Sequence, residues 1–362
     1  MGVKEAKKNF VERREKLIDD TFSPLAEEVR KIKENSIDRI EELIEAAERN
    51  FERSGIEFYF TRSSKEAIEV ALEFFDGAKT VVKSKSLVAH EIGLVEELEK
   101  HGIEIFETDL GDLIVSMLDE KARHFTMPAI HISAERVFRL FDVKDENGLK
   151  QRVKEIIRER IFAADGGITG ANAVSADGCA IIIENEGNVR LVSSIPERHL
   201  IVTGAEKVVE TFSDAIKVAE LTWRSAGYSM PSYLNVIGGL SKSGDVEKRI
   251  ITGLHGPEKA GIVVVDNGRT EASKTGLKEA LYCLRCGACL FSCPAYIALD
   301  AEWGSVYPGG IGQVWNYIAK HETNPFYCLN CGVCEEVCPL SINTPEMIRE
   351  LKETTLRKIQ KF

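Results

Sequence analysis

Eight of the nine cysteines lie between Cys283 and Cys338, and the ninth, Cys179, stands alone. Thiols clustered in this way, in a chain whose start carries no export signal, point to metal or redox chemistry rather than to a disulfide framework. The segment Cys283-Leu-Arg-Cys-Gly-Ala-Cys-Leu-Phe-Ser-Cys-Pro returns 45 residues later as Cys328-Leu-Asn-Cys-Gly-Val-Cys-Glu-Glu-Val-Cys-Pro, with seven of twelve positions identical. Each copy has the C-x2-C-x2-C-x3-C-P spacing of bacterial two-cluster ferredoxins. Three thiolates so spaced wrap one face of a cube of iron and sulfide. Gly287 and Gly332 let backbone N–H groups approach the sulfurs, and the fourth cysteine faces the neighbouring cube. The expected ligand sets are Cys283, Cys286 and Cys289 with Cys338, and Cys328, Cys331 and Cys334 with Cys293. A pair of zinc sites, each held by four cysteines, is the competing reading, but those usually use two separated C-x2-C pairs and no trailing C-P. The segment therefore predicts two [4Fe–4S] clusters that carry single electrons and activate no substrate themselves.

Three polar stretches upstream are further candidates. Gly166-Gly167-Ile168-Thr169-Gly170-Ala171-Asn172 offers either a concave set of N–H donors for a phosphate or carboxylate, or a tight crossover. Glu184-Asn185-Glu186-Gly187-Asn188 is a dense polar turn between apolar strands, readable also as an ordinary hairpin loop. Lys83-Ser84-Lys85-Ser86 ends a strand and opens a helix, where open α/β sheets bind ligands; lysines there are more often solvated charges. Cys179 reads as a small buried hydrophobe. His90-Glu91 lacks the second histidine of a zinc helix and reads as a helix surface.

Elements that could position these residues follow from periodicity. Residues 1–55 are almost half charged, yet Leu25, Val29 and Ile32, then Ile40, Leu43, Ile44, Ala47 and Phe51, recur at helical spacing. They predict amphipathic helices packed on the main body, with a break at Asn35-Ser36. From Ile56 the pattern runs strand, helix, strand, helix, strand to Phe106, which is a pair of βαβ units and a mostly parallel sheet. A Thr203/Glu206 capping box predicts a helix through Val208 to Ala219. Gly261–Asp266 is a last buried strand, and 267–282 a polar linker leading into a helix. The division expected is N-terminal helices over 1–55, an α/β domain over 56–270, a mainly helical two-cluster domain over 271–345 and a C-terminal helix over 346–362.

Composition bounds the rest. The chain has 362 residues, 44% hydrophobic and 29% charged, close to average soluble domains. A net charge of −11 argues against nucleic acid or anionic membrane as partner, since phosphate binding relies on Lys and Arg. No apolar run approaches membrane-spanning length and MGVKEAKKNF has no signal-peptide core, so a cytoplasmic protein without an integral membrane segment is expected. No G-x-G-x-x-G, Walker loop or G-x-S-x-G is present to support a flavin, nicotinamide or hydrolase site.

Several blocks together resemble one family: VVKSKSLVAHEIGLVEELEKHGIEIFETDLGD (81–112), MPAIHIS (127–133), GITGANAVSADGCAIIIENEGNVRLVSSIPERHL (167–200), VVVDNGRT (263–270) and the dicluster segment with VYPGGIG between its halves. They are similar to the B-type iron–sulfur subunit of lactate-utilisation systems, a LUD domain fused to a two-cluster ferredoxin-type domain. The resemblance implies a LUD fold like the sugar-phosphate isomerase and CoA-transferase superfamily. It also implies a subunit of an L-lactate-oxidising complex, with a flavin-bearing or cysteine-rich redox subunit as partner and a small carboxylate as ligand. It puts Lys85, Glu91, Gly170, Asn172, Glu186 and Asn188 near a pocket. Such subunits commonly continue well beyond the second motif, whereas this sequence ends 24 residues after Cys338, which leaves the complex it serves open. Two other functions compete: a small-anion or CoA-ester sensor with structural clusters, and an electron adaptor of a heterodisulfide-reductase-like complex.

Overall fold

Short β-branched runs supply the central strands of the computed structural model, which describes residues 3–244, 247, 249–299 and 302–359. The ends of the expected N- and C-terminal helical stretches, 1–2 and 360–362, lie outside the described residues. In chain order the strands are β1 (Glu57–Thr61), β2 (Thr80–Lys83), β3 (Glu104–Glu107), β4 (Gly166–Thr169), β5 (Ala173–Ser175), β6 (Cys179–Glu184), β7 (Arg198–Gly204), β8 (Val208–Val209), β9 (Tyr233–Ile237), β10 (Lys242–Gly244), β11 (Ile250–Thr252) and β12 (Lys259–Val265). Six form one sheet in the order β1-β12-β7-β4-β2-β3, every neighbouring pair parallel. The centre is buried on both faces, which is why β12 is an unbroken apolar run from Ala260 to Val265. The α/β class with a mostly parallel sheet is thus what the sequence pattern predicts.

The carboxyl edge of this sheet gathers the polar residues. Lys85 follows β2, Asp109 follows β3, Gly170 follows β4, Glu206 and Lys207 follow β7, and Arg269 follows β12. A second sheet, β8-β5-β6-β9, lies beyond that edge, with Asn172 entering β5 and Glu184 ending β6. The helix Phe212–Ser225 packs on β5 and β6 and brings Trp223 there. N-terminal helices Phe22–Asp38 and Ile40–Arg53 bury Val29, Leu43, Ala47 and Phe51 in the same apolar cluster as Ile181 of the second sheet and Trp315 of the C-terminal region. That region is helical in short pieces: Ala288–Ser292, Pro294–Leu299, Gly309–Ile318, Val333–Glu336 and Thr344–Ile359.

Several expectations need correction. The Thr203/Glu206 pair caps no α-helix; only a single 3-10 turn, Ala205–Lys207, follows it, without a side-chain cap. Thr203 lies in β7, flanked by β4 and β12, and the helix starts at Phe212 behind a true capping box, Thr211 with Asp214. The break in the N-terminal helices falls at Arg39 rather than at Asn35-Ser36. Gly166 and Gly167 form no donor nest; both are strand residues, and a Cβ would lie 2.4 Å from the Phe75 ring or 2.1 Å from the Val192 carbonyl oxygen. The polar turn after Glu184 is not a hairpin loop, because β6 and β7 belong to different sheets. Lys83 is no solvated charge: it is buried and ion-paired to Glu107 at 2.7 Å.

Candidate functional site

The eight clustered cysteines line two adjoining cavities. Cys283, Cys286, Cys289 and Cys338 line the first, joined by Cys334; Cys293, Cys328, Cys331 and Cys334 line the second, joined by Cys289. Cys289, Cys334 and Ile311 face both. The two motifs adopt the same backbone. Arg285 and Asn330 have φ of 60° and 53°, Gly287 and Gly332 have φ of 80° and 84°. These left-handed turns direct N–H groups inward, so that Arg285 N donates to Cys283 Sγ and Asn330 N to Cys328 Sγ, each at 3.4 Å. At Gly287 a side chain is also excluded by space, since a Cβ would sit 2.4 Å from the His124 ring.

The thiols fit an iron–sulfur cube better than a single ion. Among the described residues no three Cys, His, Asp or Glu side chains converge closely enough to hold one metal ion. Burial, then the neighbouring thiols Cys286 and Cys283, push the Cys338 thiol up to about 12. Burial, then Cys328, Cys293 and Cys331, push Cys334 up to about 11. Thiolates grouped this closely need a positively charged centre to hold them.

A larger cavity of about 260 Å³ opens at the carboxyl edge of the main sheet. Lys85, Gly170, Asn172, Glu186 and Asn188 all line it, and so do Asp109, Glu184, Lys207, Trp223 and Arg285. Its far wall is made by Phe125, Leu284 and Cys286, the same residues that face the first cysteine-lined cavity. Lys85 Nζ lies 3.5 Å from Asp112, Asn172 Oδ1 accepts from Ile183 N at 2.8 Å, and Asn188 Nδ2 donates to Thr108 at 3.1 Å.

Glu186 stands at the rim, exposed as a residue but with its carboxylate accepting from Leu110 N at 3.1 Å. Partial burial of that carboxyl, and then the charge of Asp109, push it up to about 7. A raised carboxyl favours the folded state most below its ordinary value near 4.5, and this contribution is lost as pH rises through 7. Glu186→Gln should therefore be less stable than the parent chain at pH 5 relative to pH 8, by a small margin given solvent screening at the rim. Denaturant midpoints at the two pH values check this.

Glu91 is the one pocket candidate found elsewhere. It does not line the cavity, nor does it sit on a helix surface, being 1% exposed. Its carboxylate takes Arg269 Nη2 at 2.7 Å and Nη1 at 2.9 Å, Asn267 Nδ2 at 2.9 Å, and the Tyr307 hydroxyl. Arg269 continues through Nε to Glu206, and Glu206 accepts from Arg285 Nη2 at 2.9 Å. Arg285 Nη1 donates to Tyr307 at 2.9 Å, closing the ring. This buried chain ties the sheet edge to the loop of the first cysteine motif, so residues 267–282 are not a polar linker. Sequence reasoning missed Lys207, Trp223, Glu184 and Arg285 as cavity residues. Only Glu184, already in a polar turn, carried a local signal.

A model described as LUD domain matches residues 44–265, and one described as 4Fe-4S dicluster domain matches 279–342. Lactate utilization protein B of Shouchella clausii is 35% identical over 82% of this chain and 62% of its own length. Lactate utilization protein B of Bacillus subtilis is 33% identical over the same shares, 82% and 62%. The uncharacterized electron transport protein YkgF of Escherichia coli is 30% identical over 86% of this chain and 67% of its own. The chain thus spans about 62% of the length of the first two relatives. A solved structure of a DUF162 family protein from Deinococcus radiodurans aligns at 14% identity with a TM-score of 0.37, over 62% of this chain and 98% of that one. Among the described residues no helix is long and apolar enough to cross a membrane.

Proposed function

The chain belongs to the LUD domain family and joins that domain to a 4Fe-4S dicluster domain, and from that premise we propose that it is the cytoplasmic iron–sulfur electron-transfer subunit of a complex oxidising L-lactate to pyruvate. The observation that carries this reading is the run of shared walls. Leu284 and Cys286 separate the ligand cavity from the first cluster site, and Cys289, Cys334 and Ile311 separate that site from the second. Cys283, Cys286, Cys289 and Cys338 hold one [4Fe–4S] cluster and Cys328, Cys331, Cys334 and Cys293 the other. Bound there, the clusters supply one-electron carriage. Cys286 is 9% exposed, whereas Cys331 is exposed and lines its cavity with Leu329, so the second site lies nearer solvent, where a partner could exchange electrons. N–H donors at Arg285 and Asn330, and the Arg285 guanidinium, stabilise negative charge on the sulfurs. A flavin-bearing or cysteine-rich partner subunit removes the hydride equivalent from lactate. The name shared by two relatives supports the substrate.

The test is anaerobic addition of L-lactate to the co-purified complex, followed by cluster EPR. Reduced-cluster signals are expected. Clusters that stay oxidised with lactate, yet reduce with dithionite, would sink the reading. A sensor of a small anion, with structural clusters, is the second reading. It is favoured by the cavity itself, which Lys85, Lys207 and Arg285 line, and it predicts ligand binding without redox turnover.

A further inference from the structure

Three basic side chains gather at the Cys283 end of the first cluster site, and the carboxylates near them do not balance them. Lys33, on the helix Phe22–Asp38, is 2% exposed and donates to the Glu206 carbonyl oxygen, with no ion pair among the described residues. Arg285 is 6% exposed and places its backbone N–H on Cys283. Lys207 is half-buried, lines the large cavity as Arg285 and Cys286 do, and has no ion pair among the described residues. The charge of Cys283 bears on all three. Counting Arg269, four cations stand against two carboxylates, Glu91 and Glu206, in their ion pairs among the described residues. Burial, and then the charge of Lys207, push the Lys33 ammonium down to about 7, while Glu206 and Cys283 act to hold it up. A buried cation without a carboxylate is costly, and an anion at Cys283 is what would hold it.

The second site is built differently. Asn330 takes the place of Arg285 in its motif, and Glu335 and Glu336 take the places of Leu290 and Phe291. The charges that bear most on Cys293 and Cys334 are those of other cysteines. Lys352 reaches this site, donating to Cys328 O at 2.8 Å and Asn330 Oδ1 at 2.7 Å, but it is half-buried and partly screened by water.

We propose that Lys33, Lys207 and Arg285 make the first cluster the easier of the two to reduce, so that a single electron taken up by the chain rests there, against the wall of the large cavity. The potential of such a cluster follows the charge around it, the hydrogen bonds to its sulfurs and its exposure to solvent. Four thiolates around the cube make an anion, and reduction adds one more negative charge, so nearby cations favour the reduced form. Burial acts against them: by itself it would leave the inner cluster harder to reduce than the outer one. Charges at an effective dielectric of about 20 interact roughly fourfold more strongly than in water, and three of them together outweigh that penalty. The inference rests on the ligand sets of the function proposed above, not on its substrate.

The test is an EPR-monitored redox titration of the anaerobic full-chain protein with both clusters loaded, at about pH 6 so that Lys33 is protonated. A dysprosium chelate in the buffer identifies the outer cluster, because it speeds the relaxation of the more exposed signal. The less accessible signal is expected to appear first as the potential is lowered. Lys33→Met removes the charge at nearly constant length. It is expected to lower the reduced-to-oxidised ratio of the inner cluster roughly 10-fold at fixed ambient potential, about 59 mV, and to move the outer cluster by less than about 3-fold. Lys207→Gln, at a half-buried position, is expected to shift the inner cluster the same way by about 3-fold. Both variants are expected to keep the iron content of the parent chain. Should Lys33→Met fail to assemble its clusters, Lys207→Gln reads the same shift. An outer cluster that reduces first, an inner cluster that neither variant moves, or equal shifts in both clusters would each overturn the proposal while leaving the electron-transfer reading standing. Clusters ordered as expected, yet left oxidised by lactate in the complex, would sink that reading and support this one.

Discussion

Cys338→Ala should halve the iron bound per chain and remove the cluster beside the ligand cavity, although Cys338 belongs to the second motif in sequence. The reason is where the chain places it. Cys338 lines the cavity of Cys283, Cys286 and Cys289, while Cys293 of the first motif lines that of Cys328, Cys331 and Cys334. The neighbours that disfavour its thiolate are Cys286 and Cys283, both from the first motif. Paired substitutions make the claim sharp. Cys286→Ala with Cys338→Ala strikes one cube twice and should still leave half the iron. Cys334→Ala with Cys338→Ala strikes both cubes and should leave almost none. Iron and sulfide assays on anaerobically prepared protein separate the outcomes, and the reverse ranking would show that each motif ligates its own cluster. Loss of the first cube should also interrupt electron flow from the cavity side while the outer one remains reducible by dithionite.

How far the sequence reveals this molecule depends on how local each cause is. The cysteine repeat is legible because the spacing itself carries the chemistry. The parallel sheet is legible because runs such as Gly261–Val265 and Thr80–Val82 have no polar face to offer water. Lys85 could be named because strand ends at a sheet's carboxyl edge are where ligands gather, whereas Gly170 and Asn172 rest on a glycine-rich stretch and on the family resemblance. Other residues depend on partners far along the chain. Glu91 looks like any acidic residue on a helix until Arg269, 178 positions later, folds onto it. Glu206 three residues after Thr203 imitates a capping box, but its carboxylate is taken by two arginines and its backbone makes only a single 3-10 turn, Ala205–Lys207. Lys207 and Trp223 meet in one cavity only because the second sheet leans over the first. Arg285 occupies a variable position of the cysteine motif, where nothing in the spacing distinguishes it from Asn330 in the other copy.

The same buried ring leads to a second large effect, from Arg269→Met. Arg269 is fully buried and its guanidinium neutralises Glu91 and Glu206, which have no solvent to turn to. Removing it leaves Arg285 as the one guanidinium on Glu206 and only neutral donors, Asn267 and Tyr307, on Glu91. Breaking a buried pair on one side costs about 3–5 kcal/mol, because the remaining charge stays uncompensated. Anaerobic urea denaturation should show that loss at neutral pH. Arg269 and Arg285 hold Glu206 down to about 2 against its burial, and Arg269 holds Glu91 below the usual carboxylate range. Depressed carboxyls stabilise the fold above about pH 4.5, and their contribution is lost as pH falls from there toward 2. In the variant the stranded carboxyls take up protons at higher pH, so its deficit against the parent chain should narrow as pH falls from 7 toward 5. The ring also contains Arg285, whose backbone N–H donates to Cys283 and whose side chain stacks over Trp315 at 4.0 Å. A chelator should therefore strip iron from the first cluster of the variant faster than from the second. Equal release from both would mean that the ring supports the fold at large and leaves the cluster loop to hold itself.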